Sequence, residues 1–218
     1  MAFTSYNFRM SFTWTAHRFA GGALALDVAN SVILRFDPAR CVDRFEVPEQ
    51  MASFAGAAQT FSAERALFGE IQSVRPDNNP TFIRMREAAD GYFRALARDG
   101  LRTAYGEPGT ANRLLCTGEP ASANGDRSTG HLLADLLQAL ADLLRLAPQT
   151  PSLEAATAHS VLRLLALPDA TRLKICPNCG WLFLDRSKNR SRAWCDMAVC
   201  GNRAKASRHY HRRQEDAP

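Results

Sequence analysis

The sequence has none of the short motifs that mark common nucleotide-binding and hydrolytic sites. G-x-S-x-G, G-x-x-x-x-G-K-[ST], G-x-G-x-x-G and H-E-x-x-H are all absent from its 218 residues. Histidine is scarce, with five residues, and His17 lies near Asp27 without a recognisable nucleophile beside them. We therefore expect a protein that is not an enzyme and has no catalytic residues.

Long apolar runs are also lacking. No stretch approaches the roughly 18 consecutive apolar residues that are typical of a membrane span. The least polar part of the N-terminal region, residues 19–34, is interrupted by Asp27 and Asn30. No secretory signal is evident, so we expect a cytoplasmic protein with no membrane partner.

Cysteine is uncommon, but four of the six cysteines cluster near the C-terminus. Cys176, Cys179, Cys195 and Cys200 follow the order C-x2-C-x15-C-x4-C. A single C-x-x-C pair can be a redox motif, whereas a second pair about 15 residues later is typical of a zinc site. Two disulfides or free thiols are the alternatives, and a reducing cytosol favours thiolate–metal bonding over disulfides. We predict one structural Zn²⁺, because four thiolates leave no open coordination position for a catalytic water.

Positive charge is concentrated around these cysteines. Residues 172–213 contain eleven Lys and Arg residues and two acids, so this segment has a formal charge of +9. The whole chain carries +5, so the remainder of the chain sums to −4. A local basic segment is typical of polyanion binding, because Lys and Arg displace counterions that are condensed on phosphates. A solvated basic tail without a partner is the alternative.

The residues around the cysteines resemble the CGNR zinc finger family. The matching runs are residues 179–187 (CGWLFLDRS), 189–197 (NRSRAWCDM) and 200–205 (CGNRAK), the last of which begins with the tetrapeptide that names the family. In that family the finger follows a mostly helical domain called ABATE. Residues 24–31 (LALDVANS) are similar to its LALDxxNT-like motif, with Ser31 in place of the usual Thr. The resemblance implies a stress-induced transcription regulator.

We predict a mainly α fold in two parts. Residues 1–170 are expected to form a helical, ABATE-like body with a short β element, which senses a signal or forms a homodimer. Residues 171–218 are expected to form a zinc finger with a treble-clef-like knuckle, a hairpin and a basic C-terminal helix. The hydrophobic content of 46% suffices for a packed core in the body, so we expect residues 1–170 to fold alone. A finger this short depends on its metal.

Apolar periodicity and turn residues predict the individual elements. Helices are predicted at 22–35, 48–54, 62–71, 79–100, 132–144, 152–167 and 202–213. Strands are predicted at 8–14 and 112–116, and the connection at 106–130 is predicted to be irregular. In the finger, the apolar run 181–184 is predicted to pair with residues 192–194.

Basic residues of the finger hairpin loop and of the C-terminal helix are the candidates for nucleic-acid binding. The full set is Arg186, Lys188, Arg190, Arg192, Arg203, Lys205, Arg208, His209, Arg212 and Arg213. A helix places Lys205, Arg208 and Arg212 on one face, which fits the major groove of double-stranded DNA or follows its backbone. The alternative is an adaptor or metabolite-sensing protein whose finger binds a protein or RNA.

Two further groups of residues allow a functional and a structural interpretation. Asp27 and Asn30 would either line a small-molecule pocket or form hydrogen bonds within the core, and the second role is commoner. Trp181, Phe183 and Trp194 would either stack on bases or form the core of the finger. We favour the core, because a finger this small needs large side chains of its own.

Overall fold

The computed structural model describes residues 12–105 and 128–215 of the chain. The helices in these ranges are α1 (Leu24–Ala29), α2 (Pro48–Phe61), α3 (Arg65–Phe68), α4 (Asn79–Tyr105), α5 (Thr129–Leu146), α6 (Leu153–Leu165) and α7 (Asn202–Glu215). The strands are β1 (Val32–Ile33), β2 (Val42–Asp43), β3 (Leu173–Ile175) and β4 (Leu182–Leu184). Each strand pairs antiparallel with one other, β1 with β2 and β3 with β4. The predicted mainly α fold with a small zinc-finger segment is confirmed.

Helices α4, α5 and α6 form the centre of the body. Ser128 and Ser152 cap α5 and α6, because their hydroxyl oxygens accept hydrogen bonds from backbone N–H groups in the first turn. The leucines of α5 are spaced three or four residues apart and form a leucine stripe along the helix. Helix α5 packs against α4 and α6, and Leu136 and Leu143 of this stripe are fully buried. In the two described ranges, no helix has the length and apolar character needed to cross a bilayer.

Helix α1 lies in the middle of the hydrophobic core. All of its residues are buried, and it contacts α4, α6 and β4. An aromatic group formed by Trp14, Phe19, Phe45 and Phe54 packs in the same core, with ring centroids 4.9 to 6.2 Å apart in the contacting pairs. The short helix is therefore held by burial on every side and not by its own propensity.

Several boundaries differ from the predictions. The helix predicted at 22–35 ends at Ala29, because residues 32–33 pair with β2 and Leu34 has a left-handed backbone with φ of 49°. The segment predicted as a helix at 62–71 keeps only the four residues of α3. Helices α2 and α4 extend beyond their predicted ends, to Phe61 and Tyr105. In α2 the added residues Ala55 and Ala58 are buried, so packing in the core prolongs this helix. Residues 106–127 and most of the strand predicted at 8–14 lie outside the described residues.

The finger hairpin uses a different strand from the one predicted. β4 pairs with β3, with Leu173 opposite Leu184 and Ile175 opposite Leu182, and not with residues 192–194. The C-x-x-C turn connects these two strands directly, since the Cys176 N–H donates to the Trp181 carbonyl at 2.8 Å. The first cysteine pair is therefore the tip of the hairpin.

The body covers the outer edge of β4. The Asn30 side-chain amide donates to the Leu182 carbonyl at 2.8 Å, and the Leu182 N–H donates to Asn30 Oδ1 at 3.0 Å. The Leu184 N–H donates to the Gly21 carbonyl at 2.8 Å. Leu173, Leu182 and Leu184 belong to the same hydrophobic core as α1 and α4. The body thus satisfies a strand edge of the finger that would otherwise be open.

Candidate zinc centre and basic surface

Four cysteines from separate parts of the finger meet at one point. Cys176 and Cys179 lie on the hairpin turn, and Cys195 follows the loop after β4. Cys200 lies in a π turn, Met197–Gly201, just before α7. Their sulfur atoms all lie within 4.8 Å of one another, with 3.5 Å between Cys179 and Cys195 and 3.6 Å between Cys195 and Cys200.

These sulfur positions fit zinc and exclude disulfides. A tetrahedral Zn²⁺ with bonds of about 2.3 Å has sulfurs about 3.8 Å apart, close to the two distances found. A disulfide requires about 2.05 Å between sulfurs, and all four cysteines are free thiols. Three of the four are buried and Cys179 is partly buried. Four thiolates fill a tetrahedral zinc site and leave no open position for a catalytic water.

Hydrogen bonds among the sulfurs shift the pKa values of three cysteines in opposite directions. The pKa of Cys176 is lowered, because the thiols of Cys179 and Cys195 and the backbone N–H groups of the same residues donate to its sulfur. The pKa of Cys179 and of Cys195 is raised, chiefly because each thiol donates to the Cys176 sulfur. Without a cation the three sulfurs favour a single thiolate. A divalent ion supplies the charge that holds all the ligands ionised.

The knuckle turn is anchored to α4 of the body. Gly180 has φ of 73°, a left-handed conformation that glycine adopts without steric cost. Its carbonyl accepts a hydrogen bond from Arg94 Nη1 at 2.8 Å. The Arg94 guanidinium is oriented by Asp90, one turn earlier on α4, at 2.8 Å. The first cysteine pair is therefore fixed relative to the body.

A body histidine reaches the second cysteine pair. Asp196 caps the π turn by accepting from the N–H groups of Ala198 and Val199, and His17 Nδ1 lies 2.8 Å from its Oδ2. Burial would raise the pKa of Asp196, but the His17 and backbone hydrogen bonds lower it below its ordinary value. The His17 ring also stacks on Trp181 at 5.4 Å between centroids. Sequence reasoning missed this contact, since 179 positions separate the partners.

The large side chains of the finger form its core. Trp181 and Phe183 are buried beside the cysteines, and Trp194 packs against them. A Cβ at Gly201 would lie 2.3 Å from the sulfur of the exposed Met197 side chain, which would have to move, and 3.3 Å from the Trp194 ring. The structural interpretation therefore fits Trp181 and Phe183, which are buried, whereas Trp194 packs against the cluster and stays partly exposed.

Asp185 organises the loop that follows β4. Its buried carboxylate accepts from Lys174 Nζ at 2.7 Å, from the Ser187 hydroxyl at 2.6 Å and from the Arg192 N–H at 3.0 Å. Burial would raise the pKa of Asp185, but these hydrogen bonds hold it well below its ordinary value. The loop is thus held by an ionised, fully hydrogen-bonded carboxylate.

Arg192, a candidate for nucleic-acid contact, is used inside the finger. Its guanidinium donates to the backbone carbonyls of Ala20, Trp194 and Cys195. It also lies over the Phe183 ring, 5.1 Å from the centroid. This side chain links the second cysteine pair to the body and is only partly exposed.

The remaining candidates in the loop that follows β4 are exposed. Lys188 points to solvent, Arg186 donates to the Gly22 carbonyl, and Arg190 pairs with the Asp169 carboxylate at 3.0 Å. Two of the three therefore have an internal partner as well as a solvent-facing surface. Their positive charge stays at the surface, but an ionic partner already offsets that of Arg190.

The C-terminal helix carries the remaining candidates. Arg203, Lys205 and Arg212 are exposed, and α7 contains five Lys or Arg residues and one acid. Arg208, His209 and Arg213 lie on the same helix, and their side chains are outside the described part of the structure. Because α7 begins directly after Cys200 and Gly201, the zinc site fixes its start.

The proposed small-molecule pair, Asp27 and Asn30, is engaged in the core. Asp27 Oδ1 accepts the Gly21 N–H at 2.9 Å, and Oδ2 lies 3.2 Å from the Ser62 hydroxyl. Burial raises the pKa of Asp27 well above its ordinary value. The Asn30 side-chain amide forms two hydrogen bonds with the backbone of Leu182. These contacts favour the structural interpretation, and neither side chain lines the two clefts found on the surface.

Comparison with known families agrees with this geometry. Residues 172–213 match the model of the CGNR zinc finger family, a stretch that includes all four cysteines and the run at 200–203. No curated protein sequence matches the chain. The chain thus carries a CGNR zinc finger whose cysteines hold one structural zinc ion.

Proposed function

We propose that this protein binds double-stranded DNA through its zinc finger and regulates transcription. The observation that supports the proposal most directly is the placement of α7. This helix starts beside the zinc ligand Cys200, and the described basic side chains Arg203, Lys205 and Arg212 are exposed along it. A basic helix of this kind fits the major groove of DNA or follows its phosphates.

The zinc centre orients this helix before any contact with DNA. Cys195 and Cys200 hold the turn from which α7 starts, and Asp196 caps that turn. A surface that is ordered in advance loses less conformational entropy on binding. The exposed Lys188 adds positive charge on the loop that follows β4, where phosphate contacts would set the register on the duplex.

We extend the proposal to the body as an ABATE-like domain that regulates the finger, with a role in stress response and a cytoplasmic location. Support comes from the contacts of β4, which shares a hydrophobic core with α1 and forms hydrogen bonds with Asn30 and Gly21. A change in body packing would therefore reach the finger. The proposal assigns no chemical reaction to the protein.

The test is the salt dependence of duplex binding, measured by fluorescence anisotropy between ~50 and ~200 mM salt. If about five cations contact phosphates, the plot of log K against log salt falls with a slope of about −4 to −5. Lys205→Ala/Arg208→Ala/Arg212→Ala should reduce the size of that slope by up to about 3 and weaken binding to all sequences. Arg208→Ala alone should lose about 1–3 kcal/mol on the preferred site only, if Arg208 reads a guanine.

A matched control removes the same charge from the body. Arg40, Arg84 and Arg145 each bond to a side chain of their own segment, so their triple alanine variant should keep the slope of the wild type. A flat salt response, or no binding to any duplex at micromolar protein, contradicts the proposal and favours a protein-binding adaptor. Displacement of the duplex by an equal concentration of structured RNA would identify RNA as the partner.

A further inference from the structure

Two arginines of the body, Arg18 and Arg44, come together beside the finger, and the charge of Arg203 in the finger acts on Arg18. Arg18 lies in the 3₁₀ turn Ala16–Phe19, Arg44 lies in the 3₁₀ turn Arg44–Glu46, and Arg203 is in the first turn of α7. Both body guanidinium groups pack on the ring of Phe12, with the Cζ atom of Arg44 at 4.2 Å and that of Arg18 at 5.8 Å from its centroid.

Arg18 also connects this group to the finger. Its Cζ atom lies 5.6 Å from the centroid of Trp181, which is in the core of the finger. The two distances to the Phe12 ring limit the separation of the Arg18 and Arg44 guanidinium carbons to about 10 Å. The arginine cluster, defined as Arg18, Arg44 and Arg203, therefore spans the junction between the body and α7.

The two body members of the arginine cluster have no carboxylate partner within residues 12–105 and 128–215. Other body arginines do: Arg86 pairs with Asp43, and Arg94 pairs with Asp90. The Nε atom of Arg44 is buried and has no hydrogen-bond partner among the described residues. The charge of this surface is therefore not balanced within the described part of the protein.

Burial and the positive charges of Arg44 and Arg203 both act on the Arg18 guanidinium. The pKa of Arg18 is lowered first by burial and then by the positive charges of Arg44 and Arg203. The pKa of Arg44 is lowered by burial. Like charges held together in partly buried positions cost free energy, and a bound anion offsets that cost.

The zinc centre is a competing source of negative charge. Four thiolates and one Zn²⁺ sum to −2, and Cys179 is near enough to raise the pKa of Arg18. Without a bound metal ion, the effect of the Cys179 thiolate on the pKa of Arg18 is smaller than the opposing effects of burial, Arg44 and Arg203. It also leaves Arg44 without a counter-charge, since no acid contributes to the shift of that residue.

We infer that Arg18 and Arg44 of the body, together with Arg203, form a phosphate-binding site that extends the DNA-contacting surface beyond the zinc finger. A guanidinium group presents a planar set of donors that matches phosphate oxygens, and stacking on Phe12 and Trp181 orders it in advance. Arg203 makes this site continuous with the basic residues of α7. The inference rests on the proposed function and adds body residues to its interface.

The test uses the full-length, zinc-loaded protein with Arg18→Gln/Arg44→Gln. Loss of two phosphate contacts should reduce the size of the salt slope by about 1.8 and weaken duplex binding roughly 10- to 60-fold at ~0.1 M salt. Arg40→Gln/Arg145→Gln removes the same charge from two exposed arginines that pair with Asp37 and Asp142, and should leave the slope unchanged. Arg18→Lys/Arg44→Lys keeps the charge and should retain most of the slope.

The outcomes separate this inference from the proposed function. If the wild type binds duplex DNA and the α7 triple variant reduces the slope, but Arg18→Gln/Arg44→Gln behaves like its control, only the inference is overturned. If the glutamine variant loses zinc to a chelator faster and keeps the slope, Arg18 serves the zinc centre and the inference is again overturned. No duplex binding by the wild type overturns both.

Folding of the glutamine variant is checked by its zinc content and melting temperature. If the double variant does not fold, Arg18→Gln and Arg44→Gln are measured singly. Each should then reduce the size of the slope by about 0.9, and a full wild-type slope in both single variants overturns the inference.

Discussion

At the scale of single residues, burial has changed the chemistry of Asp27 most clearly. Its side chain is 1% exposed, and its oxygens contact the Gly21 N–H and the Ser62 hydroxyl. Because burial raises its pKa above the unfolded value of about 3.9, the folded state binds the proton more tightly. The stability that this group contributes is present below the unfolded pKa and is lost as pH rises through the folded pKa.

Asp27→Asn should therefore stabilise the protein increasingly as pH rises above ~4. The amide oxygen would still accept from Gly21, and its nitrogen would donate to the Ser62 hydroxyl. The gain over the wild type should approach about 1.4 kcal/mol for each unit by which folding raises the pKa. Urea unfolding of both proteins at acidic and alkaline pH measures it. A difference that does not vary with pH would contradict this account.

Asn30 also acts through one contact, which joins the body to the finger. Asn30→Ala leaves the buried N–H and carbonyl of Leu182 without partners, and each unpaired group costs about 1–3 kcal/mol. We expect a loss of roughly 2–5 kcal/mol in urea unfolding. Asn189→Ala, at an exposed position of the finger loop, should change stability by less than about 0.5 kcal/mol. Equal free energies of unfolding for the two variants would show that this contact does not contribute to stability.

At the scale of elements, the zinc knuckle determines whether β3, β4 and α7 assemble. Cys195→Ser should lose the metal and unfold the finger, because zinc binding supplies about 10–16 kcal/mol in comparable small fingers. Metal analysis and the near-ultraviolet circular dichroism of the finger tryptophans would report both losses. The matched control is Cys41→Ser at an exposed body thiol, which should keep one zinc per chain. Full zinc content in the Cys195→Ser protein would disprove the ligand assignment.

The elements also show where local patterns suffice. The helix at 132–144 was predicted from the spacing of its leucines, and Leu136, Leu140 and Leu143 are buried as expected. Leu137 and Leu144, which belong to the same leucine stripe, are exposed. The hairpin partner of β4 was predicted wrongly, because residues 173–175 (LKI) are interrupted by Lys174 and were less conspicuous than Trp194 beside Cys195. Short strands have too few residues to show a period of their own.

At the scale of the whole molecule, the leucines of the finger hairpin belong to the hydrophobic core of the body, while the aromatic residues beside the cysteines form a second cluster. Leu173, Leu182 and Leu184 lie among the buried residues of the body, so residues 1–170 alone would expose the apolar surface that these side chains cover. The prediction that residues 1–170 fold alone considered only the apolar content of those residues. The contacts of β4 make the two parts energetically coupled.

Removing zinc with a strong chelator should therefore lower the melting temperature of the helical signal of the whole protein. Leu182→Ala should act in the same direction, at a cost of about 2–5 kcal/mol for a fully buried leucine. Thermal unfolding followed by circular dichroism at 222 nm measures both effects. The Cys195→Ser protein, which lacks metal, is the control and should not respond to the chelator. A helical transition that is unchanged by metal removal would show that the body is independent.

The sequence by itself determined the zinc site, the basic character of the finger and the mainly α class of the body. These properties follow from spacing, charge and periodicity within short segments, and such segments carry their own physical signal. Only the tertiary structure decided that Asn30 pairs with Leu182 and that Arg18 and Arg44 pack on one ring, that of Phe12. The first of these contacts joins residues 152 positions apart, and no local pattern specifies which polar group will meet a given strand edge once the core has packed.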